Sequence, residues 1–216
     1  NHDHPRIISR YGSEKFWKES GKTLAVSYLF QQGTPFIYQG QEIGMLNWKP
    51  ESIDQYRDVQ SIYNYHHNFR GLSDEKKIKK LWRSSRDNAR TPVQWSAEKN
   101  AGFTTAETPW MSVNSNYTWL NTAQQAEDPD SILNFYRQAV RLRKQLSCVR
   151  WGNYKEYKKH SKKLYMYSRQ DSRQKLLVVC SFWNKPTRFK PPKDFYIPGA
   201  RLALCNYNTI TPDTLQ

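Results

Sequence analysis

The sequence contains no long hydrophobic run and little cysteine. No window of about eighteen apolar residues occurs, so the pattern predicts no membrane-spanning helix. The three cysteines, Cys148, Cys180 and Cys205, lack the paired spacing of a zinc site. Their odd number and scattered positions favour a reducing compartment, and we therefore expect a cytoplasmic protein. Cys180 and Cys205 lie in apolar runs, which predicts that both thiols are buried.

Acidic residues are scarce relative to basic ones. The chain has 19 Asp and Glu against 34 Lys and Arg, which gives a net charge of +15. Such an excess can attract nucleic acid or an anionic surface. The densest basic runs, residues 76–80 and 155–163, have mixed neighbours, so we interpret them as solvated faces. A nucleic-acid binder is an alternative that no motif supports, and it would bind arbitrary DNA in a salt-dependent manner.

The length of 216 residues corresponds to one or two domains. Hydrophobic residues make up 37% of the chain and aromatic residues 14%, including eight Trp and fourteen Tyr. These side chains can form cores, and they also suit stacking on ring-shaped ligands such as sugars. The chain has neither an initiator Met nor a signal peptide. Because its start resembles the end of a strand, we expect further sequence to precede it.

The first six residues, 1–6, place a carboxylate, two imidazoles and a guanidinium in one short segment. Pro5 restricts His4 to extended geometry, so no helix begins before this point. A strand that ended at the first residue would leave His2 and Asp3 beyond its tip, a common location of catalytic groups in α/β proteins. The alternative is a solvated Asp–His pair in a turn.

The segment that follows predicts a helix and a strand. Helical spacing of apolar residues over 13–30 indicates a helix, and Gly33 interrupts the pattern. Residues 36–38 form a short apolar run bounded by glycines, which is typical of a buried parallel strand. The polar side chains of Gln39 and Gln41 lie just past its end. The order of strand tip, helix, strand and polar loop is the repeating unit of a parallel α/β fold.

A long connection over residues 47–95 predicts a functional loop or an insertion. Within it, the pattern indicates a helical insert around residues 56–69. Near its end, Arg86 and Arg90 are separated by Asp and Asn and followed by Pro and Trp, which predicts a rigid polar loop. We expect Trp110 to anchor the loop that comes next.

The last third of the chain predicts a helix and then strands. Asp128 as the cap and Pro129 at the first helical position predict a helix that ends near Leu146. From Gly152 onward the period changes to two, and turn residues separate the apolar segments. We therefore predict a boundary near residue 151 and a small antiparallel β domain beyond it. Its predicted strands include residues 164–167, 176–182 and 201–205.

Five segments, in this order and spacing, resemble the α-amylase superfamily of glycoside hydrolases, family 13. The branch they resemble includes oligo-1,6-glucosidases, dextran glucosidases and trehalose-6-phosphate hydrolases. The segments are NHDHPR at 1–6, GTPFIYQGQEIGM at 33–45, RDNARTPVQW at 86–95, NAGF at 100–103 and DPDSI at 128–132. The resemblance covers nearly the whole chain.

The resemblance implies an α/β fold with two domains. Residues 1–151 would be the C-terminal portion of a (β/α)₈ TIM barrel with inserted loops, and residues 152–216 a small antiparallel β-sandwich domain. The segment 1–3 would end the seventh barrel strand, and 36–38 would form the eighth. The nucleophilic Asp and the acid/base Glu would lie on earlier strands, outside this sequence. We therefore expect a C-terminal fragment of a retaining α-glucosidase of carbohydrate catabolism, inactive by itself.

The resemblance also implies a role for each candidate site residue. Asp3 would stabilise the transition state by accepting hydrogen bonds from the 2-OH and 3-OH of the cleaved glucose, which strengthen as positive charge develops. His2 would donate to the same hydroxyl edge. Arg90 would fix the non-reducing glucose with its planar fork of donors. Arg86 would contact sugar or hold the loop, and an ion pair with Asp87 is the structural alternative.

The expected partner is an α-glucoside oligosaccharide or disaccharide, with α-1,6-linked glucans as the first choice. Trehalose 6-phosphate hydrolysis is one alternative, and a non-catalytic transporter subunit is another, although retention of Asp3, His2 and Arg90 argues against a subunit. His4 and Gln41 depart from the common family residues, as does Ser96, which leaves the choice of glucoside open. We expect no metal, because adjacent residues of an extended chain point to opposite sides. We also expect no cofactor, no nucleic acid and no membrane partner; the oligomeric state stays open.

Overall fold

The computed structural model describes residues 1–195 and 199–207 of the chain. Its α-helices are α1 (Ile7–Tyr11), α2 (Trp17–Leu29), α3 (Val59–Tyr63), α4 (Asp74–Ser84), α5 (Asp87–Arg90), α6 (Thr122–Glu127), α7 (Ile132–Gln145) and α8 (Ser147–Trp151). Its strands are β1 (Asn153–Tyr157), β2 (Leu164–Gln170) and β3 (Lys175–Ser181). A π-helix, Asn64–Asn68, follows α3 directly, and short 3₁₀ helices lie at Glu14–Phe16, Ile53–Gln55, Lys99–Gly102, Ser115–Thr118 and Lys193–Phe195.

These elements form two compact units. The first unit comprises Asn1–Gly21 and Ile37–Asn134, and the second comprises Lys22–Phe36 and Phe135–Gln216. Helices α2 and α7 each contribute residues to both units. The sequence-based boundary near residue 151, between two family domains, stays a prediction.

In the first unit, the long connection folds around a small aromatic and aliphatic core. Tyr56, Tyr65, Ile78 and Leu81 form this core, with Trp82 packed against it. The basic run at 76–80 lies in α4. This helix is amphipathic: Ile78 and Leu81 fall on its buried face, and the lysines lie on its other faces. The connection therefore contains more helix than the sequence indicated, and its predicted helical insert at 56–69 appears as α3 and the π-helix.

In the second unit, β1, β2 and β3 form an antiparallel sheet in that order. Strands β2 and β3 confirm the predicted segments 164–167 and 176–182. Their hairpin turns at Asp171, whose carboxylate accepts the backbone N–H groups of Arg173 (2.8 Å) and Gln174 (2.7 Å). Tyr167 and Cys180 are buried in the sheet, as predicted for this thiol. The barrel and the sandwich remain predictions.

Several local predictions from the sequence were wrong. Residues 36–38 are not a strand, and Phe36 is 84% exposed, because the described residues supply no neighbouring strand to pair with them. Residues 201–205 also lack strand structure, and Cys205 is only half-buried. Trp110 is 80% exposed and does not anchor its loop.

The start of α7 also differs from the prediction. Ser131 caps the helix, since its Oγ accepts the N–H of Asn134 at 3.0 Å. Asp128 instead shapes the preceding turn by accepting the N–H of Asp130 at 2.8 Å. The helix then ends at Gln145, within one residue of the prediction. A local cap motif therefore located the helix but placed its first residue several positions early.

Candidate functional site

The first four residues form a tight turn in the first unit. The side-chain oxygen of Asn1 accepts a hydrogen bond from the N–H of Asp3 at 2.9 Å. The backbone carbonyl of Asn1 accepts one from the N–H of His4 at 3.3 Å. The turn leaves the side chains of His2 and Asp3 65% and 47% exposed. The imidazole Nε2 of His2 lies 3.2 Å from Oδ2 of Asp3. The carboxylate of Asp3 is thus accessible to solvent, and the imidazole of His2 holds one of its two oxygens.

Two arginines at the two ends of the short helix α5 reach the other oxygen of Asp3. Arg86 precedes this helix and Arg90 is its last residue. Residues four apart on a helix lie on one face, so both side chains can extend toward the same point. Arg90 Nη2 lies 3.2 Å from Oδ1 of Asp3, and Arg86 Nη1 lies 3.7 Å from it. Arg90 Nε also donates to the carbonyl of His2 at 3.2 Å.

The four candidate site residues therefore meet at one place, although residue 3 and residue 90 are far apart in the chain. Their arrangement combines an exposed carboxylate that accepts hydrogen bonds with guanidinium and imidazole groups that can donate them. Such a mixed edge can bind vicinal hydroxyl groups, which donate and accept at once. Within residues 1–195 and 199–207, no group of three or more His, Cys, Asp or Glu could hold a metal ion.

Arg6 belongs to the same hexapeptide but serves the scaffold. Its side chain is buried and donates to the backbone carbonyls of Gln39 (2.6 Å), Asn88 (3.1 Å) and Thr91 (3.4 Å). Burial lowers the pKa of the guanidinium to about 10, against smaller opposing contributions from neighbouring groups. The next residue, Gly40, adopts φ +82° and lies directly beside this guanidinium. A side chain at that position would collide with Met45 and crowd Arg6.

Two buried carboxylates, those of Asp58 and Asp87, support this region, and neither role was predicted from the sequence. Asp58 pairs with Arg86, so Arg86 does not form the ion pair with Asp87 that was its structural alternative. Asp87 instead accepts the backbone N–H groups of Arg57 (2.7 Å) and Asp58 (2.9 Å). Burial raises the pKa of Asp58, but hydrogen bonds from Arg86 and Ser61 outweigh it and hold that pKa below its ordinary value.

Comparison with known proteins gives the family. The profile described as "Alpha amylase, catalytic domain" matches residues 1–152. The chain is 42% identical over 211 residues to a probable oligo-1,6-glucosidase 2 of Bacillus subtilis strain 168, covering 96% of this chain and 37% of that protein. It is 39% identical over 211 residues to an oligo-1,6-glucosidase of Bacillus cereus, covering 96% and 38%.

A solved structure matches as well. The crystal structure of Bacillus licheniformis trehalose-6-phosphate hydrolase superposes with a TM-score of 0.92 at 42% identity, covering 98% of this chain and 39% of that one. The chain belongs to the α-amylase family of glycoside hydrolases. It spans 37–38% of the length of the two curated relatives named above.

Proposed function

We propose that this chain is part of a retaining α-glucosidase that hydrolyses α-1,6-linked gluco-oligosaccharides in carbohydrate catabolism. The observation that carries the proposal is the exposed carboxylate of Asp3, held between His2 at 3.2 Å and Arg90 at 3.2 Å. A preorganised acceptor of this kind favours the transition state, because its hydrogen bond to the sugar 2-OH strengthens as the ring acquires positive charge. The similarity to two oligo-1,6-glucosidases supports the same substrate class.

In this proposal each site residue has one role. Asp3 stabilises the transition state and His2 donates to the same hydroxyl edge. Arg90 fixes the terminal glucose through its fork of donors, and Arg86 supports the site beside it. The nucleophile and the acid/base would come from segments other than this chain, as the family resemblance implies.

A second candidate is hydrolysis of trehalose 6-phosphate. It is favoured by the TM-score of 0.92 to a trehalose-6-phosphate hydrolase. The net charge of +15 is compatible with an anionic sugar, although basic residues are spread along the chain.

A substrate panel tests both candidates. The natural protein that carries this sequence would be assayed with isomaltose, trehalose 6-phosphate, unphosphorylated trehalose and nitrophenyl α-glucoside. We expect the highest kcat/KM with isomaltose. A strong preference for trehalose 6-phosphate over trehalose would select the second candidate, and turnover of none of the four would reject the α-glucosidase proposal.

The 216-residue polypeptide alone should turn over none of these substrates. The family resemblance puts both carboxylates of the retaining pair outside it, and hydrolysis with retention needs both. Turnover by this polypeptide that disappears in Asp3→Ala would show a complete active site within it and contradict the assignment.

The proposed compartment is the cytoplasm, supported by three unpaired cysteines, two of them buried. Within the described part of the chain, no helix has both the length and the apolar character needed to cross a membrane.

A further inference from the structure

Asp58 accepts two hydrogen bonds from the guanidinium of Arg86. Nε and Nη2 of Arg86 both donate to Oδ1 of Asp58, at 2.9 and 2.5 Å. The side chain of Asp58 is only 2% exposed, whereas that of Arg86 is 38% exposed. A charge-assisted fork of this kind fixes the plane of the guanidinium as well as its position. The buried carboxylate therefore determines where the exposed end of Arg86 points.

Asp58 is itself held in place by a chain of buried groups. Ser61 donates to Oδ2 of Asp58 at 2.7 Å, and the Oγ atoms of Ser61 and Ser85 lie 2.8 Å apart. Because the single hydroxyl proton of Ser61 goes to the carboxylate, Ser85 donates to Ser61. Ser85 Oγ in turn accepts the N–H of Asp87 at 3.1 Å. These contacts join the segment at Asp58 to the start of helix α5, which Arg86 precedes directly and Arg90 ends.

The fork leaves Nη1 of Arg86 directed toward Asp3, 3.7 Å from its Oδ1. One guanidinium is thus shared between a buried carboxylate that binds it closely and an exposed carboxylate that binds it loosely. We propose that Asp58 is a positioning residue, which acts through Arg86 to keep the carboxylate of Asp3 available to the substrate. This inference rests on the proposed function of Asp3.

Removal of the negative charge at Asp58 would change how Arg86 is shared between Asp58 and Asp3. Arg86 would lose the closer of its two ion-pair partners, and Asp3 would draw the guanidinium toward itself. A tighter ion pair at Asp3 would compete with the sugar hydroxyls for the same carboxylate oxygens. The expected result is weaker productive binding and slower turnover without loss of the fold, since neutral Asn can retain part of the hydrogen bonding at residue 58.

A double-mutant cycle in the natural protein tests the coupling. The variants are Asp58→Asn, Arg86→Gln and the combination of both, and the readout is kcat/KM with isomaltose alongside the thermal unfolding midpoint. Coupled residues in contact change such a parameter by roughly 2- to 150-fold. We expect Asp58→Asn to lower kcat/KM by about tenfold when Arg86 is present and by less than about twofold when it is absent. Equal losses in both backgrounds would overturn the proposal.

Matched variants separate positioning from stability. Asp54→Asn makes the same chemical change on an exposed residue of the same segment and should leave kcat/KM unchanged. If Asp58→Asn folds poorly, Ser61→Ala removes one hydrogen bond from the same carboxylate. It should give a smaller loss that again requires Arg86, and a loss independent of Arg86 would overturn the proposal.

Crystal structures of the natural protein and its Asp58→Asn variant give a second readout, which does not depend on turnover. We expect the guanidinium of Arg86 to move away from residue 58 and closer to Asp3 than 3.7 Å. An unmoved guanidinium would overturn the inference. If the guanidinium moves as expected but the wild-type protein hydrolyses no α-glucoside, the proposed function of Asp3 is rejected and only the positioning of Arg86 by Asp58 stands.

Discussion

Two partly exposed arginines of the first unit and one buried arginine of the second unit bind different partners. In the first unit, Arg86 and Arg90 are 38% and 29% exposed and face the carboxylate of Asp3. In the second unit, Arg169 is fully buried and donates to the backbone carbonyls of Phe30 (3.1 Å) and Gly152 (2.7 Å). The same side chain thus forms an accessible charged cluster in one unit and an internal brace in the other.

Arg143 and Arg169 both bind carbonyls at or beyond the end of helix α2, and Arg169 also binds that of Gly152, which follows helix α8. The last carbonyl groups of a helix lack partners within it. Arg143 Nη1 donates to the carbonyl of Leu29 at 2.5 Å, and its Nη2 donates to that of Gly33 at 2.7 Å. Tyr167 donates to the carbonyl of Val26 at 3.2 Å. Burial lowers the pKa of both Arg143 and Arg169. These groups hold the end of helix α2 through its carbonyls; Tyr167 and Arg169 are buried, and Arg143 is half-buried.

This comparison shows that residue type alone does not identify a site. Arg6 lies only three residues from Asp3, yet its bonds to carbonyls place it with the bracing arginines. Arg90 lies 87 residues from Asp3 and belongs with the accessible cluster. The distinguishing features are the partner, carboxylate or carbonyl, and the exposure of the guanidinium.

Loss of a bracing arginine should have the largest effect on stability. Arg169→Met keeps a similar volume but leaves buried carbonyls without donors, so we expect a loss of about 2–5 kcal/mol in the free energy of unfolding. Chemical denaturation of the natural protein measures it, and kcat of the folded enzyme should stay near wild type. The exposed Arg173→Met in the adjacent turn is the control, expected within about 0.5 kcal/mol of wild type. A loss below about 1 kcal/mol for Arg169→Met would contradict the distinction between bracing arginines and site arginines.

Replacement of a site arginine should lower activity and leave stability unchanged. Arg90→Lys keeps the charge but loses the fork, so we expect kcat/KM to fall on the order of tenfold, the equivalent of about 1.4 kcal/mol. Discrimination against glucans blocked at the non-reducing end should weaken, while the unfolding midpoint stays unchanged. The control is Arg83→Lys on the exposed face of α4. Unchanged kinetics and selectivity would show that Arg90 has only a structural role in its loop.

The smallest effect concerns acid stability. The pKa of Asp58 lies below its ordinary value, so the folded protein favours the ionised form. The resulting stabilisation is present above the unfolded-state pKa of about 3.9 and is lost as pH falls through the lower folded-state pKa. Unfolding midpoints of wild type and Asp58→Asn should therefore differ most near pH 7 and converge below about pH 4. If the midpoints of the two proteins plotted against pH stay parallel down to about pH 3, the ionised form of Asp58 contributes nothing to stability.

The sequence predicted what local patterns determine. Helix α7 and strands β2 and β3 follow from apolar spacing, and residues 86 and 90 stand out because two arginines share a short polar motif. The strand predicted at 36–38 was wrong because strand structure depends on partners that a local window does not contain. Asp58 was missed for a related reason: its partner Arg86 lies 28 residues away, and nothing in its immediate neighbours marks an ion pair.

The most direct test of the site is Asp3→Asn in the natural protein, with kcat on the preferred α-glucoside and the unfolding midpoint measured together. Asn keeps the shape of the side chain but loses the negative charge that would accept the strengthening hydrogen bonds. We predict that kcat falls by on the order of 100-fold or more, as for other preorganised transition-state contacts, with an unchanged midpoint. A kcat equal to that of wild type would contradict the account, and a loss of activity that only follows unfolding would place Asp3 with the bracing residues.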